Sequence, residues 1–173
     1  MNSARAGREN GQYTPLQIAN FLIAKEPGIS HLKLQKAVYC AYGWWLLQDA
    51  DQRLTLETPQ AWQHGPVFPS LYTALKHQEH VQESAFFATP VKDMQGQMPR
   101  LVSDSSSQGD FLIGISKRYW PYSGIDLVAV THREGSPWHL IAKQHGFDLR
   151  SHVDIPDPLI ESEFRYLQSN AAS

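Results

Sequence analysis

Eight histidines and one cysteine are the most chemically versatile side chains of this 173-residue chain, and their spacing decides what they could do. His77 and His80 stand at i and i+3 near a helix end. They could supply two metal ligands, but a zinc-protease helix needs histidines at i and i+4 with a glutamate beside one of them. The pair therefore reads as a solvated helix end. The remaining histidines are scattered singly, and one cysteine leaves no Cys/His set with structural-zinc spacing, so no metal site is expected. His132, between Thr131 and Arg133-Glu134, could act as a general base. At a helix end, however, a histidine more often faces the negative end of the helix dipole. Cys40 lies in an apolar helical run, where burial raises a thiol's pKa and leaves it inert. The chain has no strained Gly-x-Ser-x-Gly turn, Cys/His arrangement or paired-carboxylate motif, and no Gly-rich phosphate loop. Neither a catalytic residue nor a cofactor is expected, and the chain reads as a binding protein and not an enzyme.

Nucleic acid is the next partner to weigh. Fifteen Lys and Arg against seventeen Asp and Glu give a net charge of -2, too little field to draw in a phosphate backbone. One segment does resemble a helix-turn-helix in length: Thr14 to Lys25, the turn Glu26-Pro27-Gly28-Ile29, and the helix that opens at Ser30. Lys33, Gln35 and Lys36 would then be its base or phosphate readers. The second helix is too apolar to lie exposed in a groove, so DNA regulation is the alternative reading and not the leading one.

The elements that carry these residues follow from periodicity and helix signals. Residues 1–12 are polar, hold no apolar stretch that could serve as a signal peptide, and read as a disordered lead. Thr14-Pro15-Leu16-Gln17 combines a capping hydroxyl, a first-turn proline and a glutamine placed to cap back. After Ser30, the residues Leu34, Val38, Ala41, Tyr42 and Trp45 keep the spacing of a core stripe, with further apolar residues on other faces, which makes this helix central. Its apolar run, Ala37 to Leu47, is far short of the roughly 20 residues that a membrane span requires, and a cytoplasmic location is expected. Leu54-Thr55-Leu56 is a weak extended piece. Gly65-Pro66 fixes a turn before Pro69 opens another helix. Helices resume around Phe111, Ile115 and Tyr119, after Ser123, at Ser136-Pro137 and at Asp157-Pro158. The last has Ile160, Phe164 and Leu167 on its buried stripe and Ser162, Glu163 and Arg165 off it. Between them, 81–108 loses helical periodicity and could hold at most one irregular β-hairpin. The fold class is mainly α: one multi-helix domain over 13–168, with that excursion in the middle and a short tail at 169–173.

Three segments, in order, carry a resemblance. Leu32-Lys33-Leu34-Gln35-Lys36 running into Tyr39-Cys40-Ala41-Tyr42-Gly43-Trp44 resembles the second helix of the SocA-like Panacea-domain antitoxins, a group earlier described as phage-associated proteins. Ala61-Trp62-Gln63-His64-Gly65-Pro66-Val67-Phe68-Pro69-Ser70-Leu71-Tyr72 is similar to that family's most recognisable block. Tyr122-Ser123-Gly124, Leu127, Thr131-His132 and Pro137-Trp138 resemble its C-terminal signature. The match spans roughly Thr14 to Leu167 with a gap over 81–108, and Cys40 departs from the larger aromatic often found there. The resemblance implies an antitoxin that neutralises a cognate toxin by direct binding, the toxin being encoded beside it. SocA-like members also deliver the toxin to a protease, which makes a AAA+ protease a second expected partner.

Trp45, Trp62 and Trp138 are expected in the core, so recognition must use other surface. Two candidates stand out. One is the turn at Gln63 and His64, a loop fixed on a rigid scaffold. The other runs from Phe86 to Leu101, where Phe86, Phe87, Val91, Met94 and Met98 offer adaptable apolar contacts or else fold back onto the core.

Overall fold

A computed structural model of the chain describes residues 13–49, 52–81 and 85–171, the side chains of residues 80 and 81 excepted. The expected lead at 1–12, the last two residues of the tail and the His80 imidazole lie outside the described residues.

Helices begin where a side-chain oxygen can take an otherwise orphaned backbone N–H. In α1 (Pro15–Lys25) Thr14 and Gln17 form the expected reciprocal capping box. A two-residue strand β1 (Ile29–Ser30) ends in the Ser30 hydroxyl that caps α2 (His31–Gln48). The hairpin β2 (Gln60–Trp62) and β3 (Gly65–Val67) leads into α3 (Pro69–Val81). A carboxylate from outside the helix caps α3: Glu57 accepts from Ser70 N at 2.9 Å and from the Ser70 hydroxyl. Then follow β4 (Phe86–Phe87), α4 (Ser107–Tyr119), α5 (Gly124–Thr131), α6 (Pro137–Gln144), β5 (Val153–Asp154) and α7 (Asp157–Ala171). Ser106, Ser123 and Ser136 cap α4, α5 and α6.

The chain is mainly α, with small antiparallel sheets in its middle, as the sequence predicts. One strand, β4, falls within the expected excursion, but the hairpin does not. The hairpin lies at Gln60–Val67, with Trp62 opposite Gly65 and a two-residue loop of Gln63 and His64. β5 adds to its other edge, and β4 pairs with β1 (Ile29 opposite Phe87). The extended piece at Leu54–Leu56 is reduced to an isolated bridge between Tyr13 and Thr55. Strands of two and three residues are too short to show an alternating pattern, which is why periodicity alone does not find them.

α2 is the axis. It packs chiefly on α5 and α7, then on α1, α4 and β3, and Leu34, Val38, Ala41, Tyr42 and Trp45 are all buried. The polar ends of its aromatics are satisfied: Tyr42 donates to Asp157 at 2.5 Å, Trp44 to the Tyr119 hydroxyl at 2.8 Å and Trp45 to the Gln52 carbonyl at 2.6 Å.

The excursion is tied to α1. Asn20, wholly buried, donates to Val91 O at 2.9 Å and accepts from Val91 N at 2.7 Å, in the manner of a backbone ladder. Gln17 holds Arg100 O at 2.9 Å, and Lys25 pairs with Asp104 at 2.6 Å. Phe87, Val91 and Val102 are buried by this docking.

Candidate functional site

The Gln63-His64 turn is held from beneath by a buried cation. Lys36, one turn into α2 and essentially without exposed surface, donates to His64 O at 3.2 Å and to Pro66 O at 3.1 Å. Burial drives its pKa down to about 8, against a smaller upward pull from Cys40. His132, at the C-terminal end of α5, stacks on Trp138 with ring centroids 4.0 Å apart. Burial, then the nearby Lys36 ammonium, lower its pKa to about 4. Its Nε2 is buried without a hydrogen-bond partner. The imidazole is therefore a neutral ring wedged between an indole and a lysine. Trp138 donates through Nε1 to Trp62 O at 2.7 Å, closing the cluster around the hairpin.

Gln63 and His64 are both exposed, but they differ in freedom. The Gln63 carboxamide is used at both ends: Nε2 donates to Phe147 O at 3.0 Å, and Oε1 accepts from Leu149 N at 3.2 Å. Trp62 stacks on His152 at 4.0 Å, so the hairpin and the loop after α6 brace each other.

Beside His64 a groove of about 390 Å³ opens between the start of α2, β3 and α3. Burial pushes the Glu79 carboxyl on α3 up, but hydrogen bonds accepted from His31 Nδ1 and from Lys76 Nζ at 3.2 Å together outweigh it and hold the group below the ordinary range. With the proton on Nδ1, His31 Nε2 is left to face the Gln35 amide nitrogen at 3.3 Å. Gln35 Oε1 is buried with no partner. A histidine oriented by a carboxylate is half of a catalytic arrangement, but the imidazole's free nitrogen is occupied by an amide.

The structure corrects two sets of expectations. Lys33, Gln35 and Lys36 are all buried, so they are not the exposed base or phosphate readers that the DNA reading requires. Lys33 pairs with Glu26 at 2.6 Å and reaches Trp120 O at 3.3 Å, while Lys36 and Gln35 point into the hairpin and groove. Phe87 is likewise not a surface contact, being 2% exposed on the inner side of β4, and Val91 is buried with it. Phe86, Met94 and Met98 are exposed, Met94 and Met98 in a loop distant in sequence from the hairpin. His77 and Met98 line a separate cleft of about 550 Å³. Among the described residues no group of three or more His, Cys, Asp or Glu could hold a metal ion, and no helix is long and apolar enough to cross a membrane. Cys40 is buried, and desolvation pushes its thiol up to about 12.

Sequence reasoning missed the groove and the Glu79-His31-Gln35 relay. The signal is three polar residues, Lys33, Gln35 and Lys36, inside an otherwise apolar helix.

A family profile described as "Antitoxin SocA-like, Panacea domain" matches residues 34–139. Antitoxin SocA of Caulobacter vibrioides (strain NA1000 / CB15N) is 32% identical over 158 residues, covering 86% of this chain and 81% of that relative. No solved structure gives a significant match.

Proposed function

The chain belongs to the SocA-like Panacea-domain antitoxin family, and from that premise we propose that it neutralises a cognate toxin by binding it directly. Its likeness to a curated antitoxin over most of both chains is the observation that carries the reading. The buried, acid-resistant environment of the side chains that could do chemistry supports binding over catalysis: the Cys40 thiol is pushed up to about 12, and His132 is held neutral against a lysine. The toxin is encoded next to the antitoxin, in the cytoplasm of the same cell, and a AAA+ protease is the further partner if the bound toxin is handed on for degradation.

Co-expression with the product of the adjacent reading frame tests this. Growth restored by this protein, with the two chains purifying together, is the expected result. A neighbour that is harmless alone, or that stays toxic and unbound beside this protein, overturns it. A toxin half-life that shortens only when both this protein and the protease are present separates delivery from blockade.

A further inference from the structure

We propose that residues 64–67, the turn residue His64 and the edge strand β3, form a spring-loaded flap that lifts from α2 as a local unit, because closing it seals the Lys36 ammonium away from water without a counter-charge. The flap goes beyond the antitoxin reading and does not depend on it.

Lys33 and Lys36 stand three residues apart on α2, and both are buried. Lys33 meets a carboxylate, Glu26, at 2.6 Å. Lys36 meets the carbonyls of His64 and Pro66 instead, at 3.2 and 3.1 Å. Carbonyl dipoles replace part of the lost hydration but supply no opposite charge, and a buried charge without one is costly to hold. The other groups facing Lys36 bring none. Cys40, on its own helix, is a thiol pushed up to about 12 and stays uncharged. His132, from α5, is a neutral ring whose buried Nε2 has no partner. His64 lends its carbonyl.

The segment over Lys36 is also the one that can move. In the sheet order β3-β2-β5, β3 is an edge whose one ladder partner is β2. β2 is secured on its far side by β5, and Trp62 O accepts from Trp138 Nε1. Fixed points bound the segment: Gln63 is held by Phe147 O and Leu149 N, and Phe68 is wholly buried. Lifting 64–67 therefore uncovers little apolar surface, chiefly Pro66 and Val67, while it hydrates both Lys36 and His132 Nε2. Such a segment opens well ahead of the core around it.

The sign of the pH response follows. With the flap closed, burial lowers the Lys36 pKa to about 8, and with the flap open the amine returns to its ordinary 10.5. The open form holds the proton more tightly, so opening is favoured at neutral pH and suppressed as pH rises from 8 to 10.5. Between pH 7 and 9 the opening constant should fall about tenfold.

Amide hydrogen exchange of the full chain tests this, each rate divided by that of the unstructured amide at the same pH. Val67 on β3 is compared with Val38 in the middle of α2. At pH 7 Val67 should open at least a hundredfold more often than Val38, and its opening constant should drop about tenfold by pH 9. Lys36→Met should remove that drop, whatever its effect on the overall level, and His64→Ala should keep it. The unaltered chain alone can refute the flap: Val67 exchanging no faster than Val38 means that the hairpin opens only with the whole fold, and an opening constant that is flat or rises toward pH 9 means that no buried ammonium drives it. A drop that survives in Lys36→Met, or that disappears in His64→Ala, assigns the titration to another group and overturns the spring.

Discussion

Lys36 and His132 converge beneath Gly65: a Cβ built there would stand 2.5 Å from Lys36 Nζ and 2.6 Å from His132 Nε2. The hairpin can lie this close to α2 only because position 65 has no side chain, and its φ of +116° is one that only glycine adopts without strain. Gly65→Ala should therefore destabilise the fold by about 2 to 4 kcal/mol, combining backbone strain with overpacking. Urea denaturation measures it. A loss under 1 kcal/mol would mean that the lysine moves aside freely.

The same pair sets an acid limb to stability. The His132 pKa is lowered to about 4, so the folded state binds the proton less readily than the unfolded chain does near 6.5. Its contribution is full above pH 6.5 and is lost as pH falls toward 4, amounting to about 2 kcal/mol after discounting for its partial exposure. Glu79 and Asp148, whose pKa values are also lowered, act at more acid pH. Lys36 and His64 are the charged or titratable groups facing His132, and Lys36 is the stronger of the two. Lys36→Met should therefore raise the His132 pKa, seen in its ring proton shifts, and steepen no part of the curve above pH 6.5. An unmoved His132 titration refutes the coupling.

Asn20 offers a test of the excursion. Its carboxamide ties α1 to Val91, answering both the N–H and the carbonyl of that residue. Asn20→Ala leaves both backbone groups buried and unanswered, at about 1 to 3 kcal/mol each before relaxation. Hydrogen exchange should accelerate at Val91 while protection in α2 persists locally. Uniform loss of protection would show instead that the excursion and the helices open as one unit.

These residues also explain what could be read in advance. Helix starts at Thr14, Ser30, Ser123 and Ser136 were legible because capping is local chemistry, carried within three residues. The central place of α2 was legible from apolar residues on every face. Its buried Lys33, Gln35 and Lys36 were not, because their partners Glu26, His31 and the hairpin carbonyls are brought by the fold and not by spacing along the helix. Glu163 shows the same limit. Off the apolar stripe in sequence, it is buried in α7 because Arg133 reaches it at 2.5 Å and covers it.

Gly43 in the middle of α2 presents a contest of signs. In a solvated helix Gly→Ala gains about 1 kcal/mol through backbone entropy. Here a Cβ would overlap three ring carbons of Phe164, which is 1% exposed. That ring has little room to retreat, since Trp44 and Tyr39 flank it edge-on with centroids 5.2 and 6.1 Å away. Overpacking of a closed core costs about 1 to 3 kcal/mol and more when the neighbour is rigid, so the clash outweighs the propensity. Gly43→Ala should destabilise by about 2 kcal/mol net. Phe164→Leu alone should cost a similar amount, about 1 to 3 kcal/mol, by opening a void. Combined, the two should cost much less than their sum, because the methyl enters the space that the ring vacates. A double-mutant cycle by chemical denaturation reads the coupling directly, and additive losses would show that α2 and α7 separate when Gly43 is filled.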